Sequence, residues 1–259
     1  MLATERHGRI LEHVQKKKTV TVAELSRLLD VSEVTVRKDL IKLEQEGLLS
    51  RVHGGASVAH FLPLERSFTE KQGERVEEKA RIARQALAHI QPGDTLILGA
   101  GTTTMELAKL LGQIPDLTIV TNAVNIAMEL NSHGAHHVIL IGGEMRAKSF
   151  ALVGPVAEDN LKKLSVSKCF IGADGIHEHD GLSTLSLAEG KANRIMMERS
   201  RKVYVLADHT KFGETHFSSF ADLSDVDRIV TDRLDEQTLA TFRELGVKIE
   251  LAEGQEDKE

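Results

Sequence analysis

The stretch LGAGTTTMELAKLL, Leu98 to Leu111, carries residue types that suit a phosphate group. An apolar run ends in Gly99-Ala100-Gly101, three threonines follow (Thr102, Thr103 and Thr104), and Leu107, Leu110 and Leu111 then fall at helical spacing. At the start of a helix, N–H groups without intrahelical partners, the positive end of the helix dipole and threonine hydroxyls can converge on one anion. A competing explanation needs no ligand. Thr103 to Glu106 has the S/T-x-x-E spacing of a capping box, which would assign a threonine to the helix itself.

Other polar loops follow apolar runs further along. Thr121-Asn122, Gly142-Gly143-Glu144, Gly172-Ala173-Asp174-Gly175 and Ala207-Asp208-His209-Thr210-Lys211 each do so. The runs themselves predict strands at Thr95 to Leu98, Leu117 to Val120, Val138 to Ile141, Lys168 to Ile171, Val203 to Leu206 and Arg228 to Val230. Helical segments separate most of them, beginning with RVEEKARIARQALAHI from Arg75. Strands alternating with helices imply a Rossmann-like α/β domain with a mostly parallel sheet covered on both faces. Ligands bind such sheets beyond the carboxyl ends of the strands, so all five loops are expected to share one site. Gly101, the three threonines and Lys211 suit a phosphate there, while Asn122, Asp174 and Asp208 can bond sugar hydroxyls. No GxxxxGK[ST] motif is present for a nucleoside triphosphate, so a phosphorylated sugar is the expected ligand.

The first fifty-odd residues read differently. Ile10, Leu11 and Val14 repeat as a helix ending in Lys16-Lys17-Lys18, and Thr19 to Val22 is a β-branched stretch. AELSRLLD places Leu25, Leu28 and Leu29 on one face. After Asp30-Val31, Ser32 is suited to cap a helix with Val36, Leu40 and Leu43 inward and Gly47 at its end. That is a helix-turn-helix pattern, and LLSRVHGGASV adds a hairpin wing turning at Gly54-Gly55. Ser32, Glu33, Thr35, Arg37 and Lys38 are then placed to meet base edges and phosphates, with Arg51 and His53 on the wing and Arg6 counted with them. A helical hairpin used only for dimerisation is the bland alternative. Met1 to Ser57 carries 10 Lys and Arg against 8 Asp and Glu, whereas the whole 259-residue chain has a net charge of −6. A slightly basic module joined to an acidic one is compatible with nucleic acid, because phosphate affinity follows local patches.

These readings divide the chain into a winged helix-turn-helix domain at 1–57, a linker at 58–74 and a sensor domain at 75–259. No apolar run reaches the roughly 18 residues that span a bilayer, and the N-terminus lacks the apolar core of a signal peptide. A cytoplasmic protein is expected. Cys169, the one cysteine, sits in an apolar run and reads as a buried structural thiol. Met196, Met197 and Ile195 share a helix with Leu187 and read as core. The clusters His133 to His137 and His177-Glu178-His179 read as loops, with no helical i,i+4 pair of histidines and no supporting cysteines, so neither metal nor cofactor is expected. The terminal GQEDKE reads as a frayed tail.

Val31 to Ala56, VSEVTVRKDLIKLEQEGLLSRVHGGA, resembles the signature of the DeoR family of bacterial transcription regulators: a serine, a threonine, Arg/Lys-Asp-Leu, Leu-Glu and Arg-x-His-Gly-Gly-Ala. Lys38 stands where many members carry a second arginine, which keeps a phosphate contact but loses bidentate guanine readout. Arg75 to Leu251 resembles the effector domain of the same family, itself similar to ribose-5-phosphate isomerase, through GADGI at Gly172 to Ile176 and LADHTKF at Leu206 to Phe212. The resemblance implies effector-response roles for Asp208, Lys211 and Lys79, and matches Glu189 to the isomerase base. His179-Asp180-Gly181 stands where those enzymes carry a catalytic lysine, which implies retained binding without turnover. The expectation is a repressor-type, homo-oligomeric regulator (dimer or tetramer) that binds duplex DNA and is switched by a sugar phosphate. A sugar-phosphate isomerase with an accessory DNA module and a second domain that only oligomerises are the alternatives.

Overall fold

In the computed structural model the chain divides into two units, Met1–Leu64 and Glu65–Glu259. The structure describes residues 3–17, 19–45, 48–52, 54–58, 65–132 and 134–252. Gly47, His53, His133 and the tail at 253–259 lie outside the described residues.

The first unit contains α1 (Ala3–Lys17), β1 (Thr19–Thr21), α2 (Val22–Leu29), α3 (Glu33–Gln45), β2 (Leu49–Val52) and β3 (Gly55–Val58). Thr21 caps α2 reciprocally: its Oγ1 accepts from the Glu24 N–H at 3.1 Å, and Glu24 Oε2 accepts from the Thr21 N–H at 2.8 Å. Those bonds, with help from Lys17, hold the Glu24 carboxyl down at about 2. Asp30 ends α2 at φ 51°, and Ser32 Oγ accepts from the Thr35 N–H at 3.2 Å to start α3. The wing is antiparallel, and β1 adds to it in the order β1-β3-β2. Its turn needs both glycines. Gly54 sits at φ +82°, and a Cβ on Gly55 would lie 2.0 Å from the Val20 carbonyl.

The core of this unit is small: Ile10, Val14, Leu25, Leu29, Leu40 and Leu43 are among eleven buried apolar residues. A polar clamp supplements it. Arg6 Nε and Nη2 bond the two carboxylate oxygens of Asp39 at 2.5 and 3.0 Å, and His7 Nε2 reaches Oδ1 at 3.1 Å. Burial opposes the Asp39 charge, but the Arg6 and His7 bonds outweigh it and hold the carboxyl below its ordinary range.

The second unit begins with α4 (Phe68–Gln72) and α5 (Val76–Leu87). The chain then runs through β4 (Thr95–Leu98), α6 (Thr102–Leu110), β5 (Thr118–Thr121), α7 (Val124–Ser132) and β6 (His137–Leu140). A two-stranded hairpin, β7 (Glu144–Met145) and β8 (Leu152–Val153), precedes α8 (Pro155–Lys162) and β9 (Val166–Ile171). Next come β10 (Gly175–His177), β11 (Gly181–Thr184), α9 (Leu187–Glu198), β12 (Ser200–Leu206), β13 (Ser218–Ala221), β14 (Arg228–Thr231), α10 (Glu236–Glu244) and β15 (Ile249–Leu251). Seven strands form one parallel sheet in the order β15-β14-β12-β9-β4-β5-β6, and β10, β11 and β13 form a separate antiparallel sheet.

Alternation along each strand feeds two cores. Leu96, Leu98, Phe170 and Leu206 join the cluster under α5, α6 and α7, while Ile97, Cys169, Ile171 and Val205 join the one under α8, α9 and α10. Cys169 is fully buried and its thiol is pushed up to about 12, which makes it structural. Ile195, Met196 and Met197 are core as expected, but Leu187 is 64% exposed because it opens the first turn of α9 outside the packed face. The stretch expected as linker also differs, since residues 65–74 belong to the second unit and Phe68 is buried against Phe150 with ring centroids 5.8 Å apart. Among the described residues no helix is long and apolar enough to cross a membrane.

Truncating Asp39 would leave the Arg6 guanidinium inward-facing without its counter-ion. Asp39→Ala should lower the stability of the first unit by about 3 kcal/mol, seen as an earlier urea midpoint, whereas an unchanged midpoint would show the clamp contributes nothing.

Candidate functional site

On the first unit, the N-terminal half of α3 presents Ser32, Glu33, Arg37 and Lys38 to solvent, with Thr35 half-buried. Arg37 Nη2 bonds Glu33 Oε2 at 3.3 Å, an exposed pair that a phosphate can displace at little cost. Thr35 Oγ1 lies 2.9 Å from Ser32 Oγ, so these hydroxyls first serve the cap. Val34, 64% exposed, lies beside them and was missed by sequence reasoning; its signal is that it falls outside the Val36, Leu40, Leu43 core repeat. A bare valine on this face fits a thymine methyl. Arg51 is half-exposed and its main-chain N–H donates to Glu44 Oε1 at 3.0 Å. Arg6 differs from the expectation: its guanidinium is turned inward onto Asp39 and 13% exposed, because the small core needs the clamp.

The second unit's cleft follows from strand order. From β4 the chain adds β5 and β6 on one side, then returns to place β9, β12, β14 and β15 on the other. The loops after β4 and β9 therefore diverge and open a crevice at their carboxyl ends. A cavity of about 120 Å³ lies there, lined by residues that include Gly101, Thr102, Asp174, Glu189, Asp208 and Lys211. Thr103, Thr104 and Lys79 line it too. Of the five loops expected to meet, those after β4, β9 and β12 do so. Thr121, Asn122 and Gly142 to Glu144 are not in the lining, although Lys148 and Ser149, further along the segment that follows β6, are. Asn122 instead accepts from the Ala100 N–H at 3.2 Å and donates to the Leu152 carbonyl at 3.2 Å, fixing the loop after β4 from behind.

The capping box from Thr103 to Glu106, the ligand-free alternative, does not form. Gly101 is the N-cap with no side-chain cap bond, and Glu106 pairs with Lys109 at 2.7 Å. Thr104 Oγ1 donates back to the Gly99 and Gly101 carbonyls at 2.8 and 3.0 Å, folding the loop. The first intrahelical bond comes from Met105 N–H to Gly101, leaving the N–H groups of Thr102, Thr103 and Thr104 outside the α6 ladder.

Charge pairing around the cleft is incomplete in one direction. Asp174 bonds Lys71 Nζ and Thr184 Oγ1, each at 2.8 Å. Burial would raise its pKa, but Lys71, Thr184 and the nearby Lys211 together hold it below the ordinary value. Asp208 is likewise held down against burial by Thr210, Lys211 and Arg75, the last at 3.7 Å. Lys79 donates to the Lys71 carbonyl at 2.5 Å, and burial pulls its pKa down against the opposing field of Asp208. Among the described residues neither Lys79 nor Lys211 forms an ion pair. Glu189 is pushed up by burial, opposed by Ser149 and Arg146; Arg146 Nε meets its Oε1 at 2.8 Å.

Sequence reasoning missed one wall. Glu65, Arg66, Phe68, Lys71 and Glu74 line the cleft beside Arg75, although 65–74 lacks periodicity and reads as linker. A signal was present in Ser67-x-x-Glu70, which does cap α4: Ser67 Oγ accepts from the Glu70 N–H at 3.3 Å.

Comparison with known proteins adds family information to this geometry. A profile of the DeoR-like helix-turn-helix domain matches residues 6–61, and one of the DeoR C terminal sensor domain matches 74–233. An uncharacterised HTH-type transcriptional regulator of Bacillus subtilis, YulB, is 38% identical over 96% of this chain and 96% of its own length. The lactose phosphotransferase system repressor of Staphylococcus aureus (strain N315) is 39% identical over 92% and 96%. Among solved structures, ribose 5-phosphate isomerase A from Methanocaldococcus jannaschii superposes at a TM-score of 0.41 with 16% identity over 54% of this chain and 55% of that one, too slight a likeness to carry argument.

Asp174→Asn should lower the unfolding midpoint of the second unit near neutral pH by an amount worth about 1–2 kcal/mol, since it leaves Lys71 without its counter-charge. Because the folded Asp174 value is depressed, its stabilisation is complete above the unfolded value of 3.8 and is lost as pH falls through the folded one. Thermal scans should therefore show parent and variant converging on acidification below about pH 4; a constant gap would contradict the assignment.

Proposed function

The chain belongs to the DeoR family of transcriptional regulators, and from that premise we propose that its affinity for operator DNA is switched by a phosphorylated sugar bound in the cleft of the second unit. The observation that carries the ligand class is the N-terminus of α6, without a side-chain cap, facing a cleft where, among the described residues, Lys79 and Lys211 form no ion pair. A dianionic phosphate ester supplies what those N–H groups and ammonium groups require. Asp174 and Asp208 then offer acceptors to the sugar hydroxyls, which a bare inorganic anion would leave unused.

The DNA reading rests on the exposed half of α3. Arg37, Lys38 and Arg51 hold phosphates, while Ser32, Glu33, Thr35 and Val34 meet base edges. A single winged helix covers too few base pairs for specific affinity, so a homo-oligomer acting on two half-sites follows. The protein acts in the cytoplasm as a repressor of a carbohydrate-utilisation operon. The lactose phosphotransferase system repressor, similar over nearly the whole chain, supports that class of target. An effector coupling of about 1–3 kcal/mol, roughly 5- to 150-fold in affinity, is enough for a switch.

The test is fluorescence anisotropy on duplex DNA from upstream of the protein's own gene, at fixed salt. Glucose 6-phosphate, fructose 1-phosphate, fructose 6-phosphate and ribose 5-phosphate are each compared with the parent sugar. One phosphate should change the DNA affinity at least about fivefold while its parent does nothing; equal effects from both would remove the phosphate cradle. Lys211→Ala should bind DNA normally and lose most of that response. Retained response would take Lys211 out of the site. Arg37→Ala should weaken binding to all duplexes and flatten the salt dependence by about one unit of slope, and an unchanged slope would mean that Arg37 makes no phosphate contact.

A further inference from the structure

One side chain ties the cleft to the stretch through which the second unit joins the rest of the chain. Arg146 lies at the end of β7 in a tight loop: its own N–H donates to the Ala151 carbonyl, and its carbonyl accepts from the Phe150 N–H, both at 2.9 Å. Phe150 is held at φ 59°, a left-handed conformation that a bulky residue adopts only when its surroundings enforce it. The loop thus presents the Arg146 guanidinium from a constrained base. The guanidinium is forked between two carboxylates far apart in sequence. Nε bonds Glu189 in the cleft at 2.8 Å, and Nη2 bonds Glu65, the first residue of the second unit.

The same loop grips that segment twice more. Lys148 Nζ donates to the Glu65 carbonyl and the Lys148 carbonyl accepts from the Phe68 N–H, both at 2.6 Å. Beyond these bonds, Phe68 is the segment's buried apolar anchor. Lys71, three residues on, reaches the cleft to bond Asp174. Residues 65–72 are therefore held mainly by polar contacts to groups that line or adjoin the cleft, and such contacts exchange readily when a new polar partner arrives. At Glu189, both side-chain bonds fall on Oε1, one from Arg146 and one from Ser149, leaving Oε2 without a protein partner among the described residues.

We propose that Arg146 is the relay by which occupancy of the cleft is transmitted to residues 65–72, and so to the chain that leads to the DNA-binding unit. This rests on the reading that the cleft takes an effector. A ligand hydroxyl that bonds Glu189 draws charge density away from Oε1 and weakens its hold on Nε. The guanidinium then shifts its pairing toward Glu65, and the grip on the segment changes in step. Arg146 is a positioning residue in this scheme and need not touch the ligand.

The test is a double-mutant cycle in the full-length chain, read by hydrogen–deuterium exchange of the peptide covering 65–72. It needs no ligand. Glu189→Gln should change exchange in that peptide by about threefold or more, although no bond of the Glu189 side chain reaches that segment directly. In an Arg146→Gln background the same substitution should have no further effect. A purely structural contribution would give additive changes, and either additivity or an unmoved peptide overturns the relay. If Arg146→Gln fails to fold by circular dichroism, Glu65→Gln breaks the other arm of the fork and takes its place in the cycle. The four sugar phosphates then separate this inference from the one it rests on. If none shifts DNA binding while the cycle is non-additive, the relay stands and the ligand class falls. If one shifts DNA binding as strongly in Arg146→Gln as in the parent, the ligand class stands and the relay falls.

Discussion

A parallel sheet whose strand order reverses between β4 and β9 must leave a gap at the carboxyl ends of those two strands, because their following segments depart in opposite directions. Into that gap point backbone groups with no partner in the ladder. Gly99 takes one of them back, its N–H bonding the Phe170 carbonyl at 2.9 Å, and Thr104 uses its hydroxyl to tie down the Gly99 and Gly101 carbonyls. What remains is the bare start of α6. The rest of the cleft is a response to that electropositive end in a site where burial makes every charge expensive unless it is matched.

The matching is done by exchangeable partners. Asp174 is satisfied by Lys71 and Thr184, which take one oxygen each. Asp208 depends on Thr210 and Arg75, whose contacts all fall on Oδ1. A ligand's hydroxyls could take over the donor roles of Thr184 and Thr210, while an anionic group would meet the ammonium groups of Lys79 and Lys211 instead of the carboxylates. The net gain is then small relative to the gross interactions, which is the regime in which a few bonds redistribute a conformational equilibrium rather than lock it. A cleft satisfied by fixed hydrophobic packing would have bound or failed to bind without any such redistribution.

Much of this was legible from residue order. Strand alternation between Ile97 and its neighbours Leu96 and Leu98 places the sheet between two cores, and the observed strands fall within two or three residues of those expected. The glycine and threonine run at 99–104 was read correctly as a helix start, and nine of the ten residues named for the cleft line it. The failures have physical causes. Asn122 has the right chemistry beside the right strand, but its amide is buried and spent on the Ala100 N–H and the Leu152 carbonyl, a long-range pairing that residue order does not show. Arg6 reads as a free cation until Asp39, 33 positions away, is brought onto it by helix packing. The wall at 65–75 is invisible to periodicity because its segment is held by single polar contacts to distant loops. Only the five-residue α4 repeats, and it is too short to show a pattern. Small late elements such as β15, and the β10-β11-β13 sheet, carry too few residues to separate from loop composition.

The two units meet the same constraint at different scales. The first has eleven buried apolar residues in its core cluster and uses α3 both as the wall of that core and as the exposed face with Arg37 and Lys38. A helix with two such duties cannot drift without losing packing, so its exposed side chains are positioned by the packing of Val36, Leu40 and Leu43 and by the Asp39 clamp at once. That rigidity makes the small unit a poor candidate for the element that changes shape on a signal. Residues 65–72, by contrast, are held by one buried aromatic and a handful of polar bonds, the kind of holding that opens locally at lower free energy.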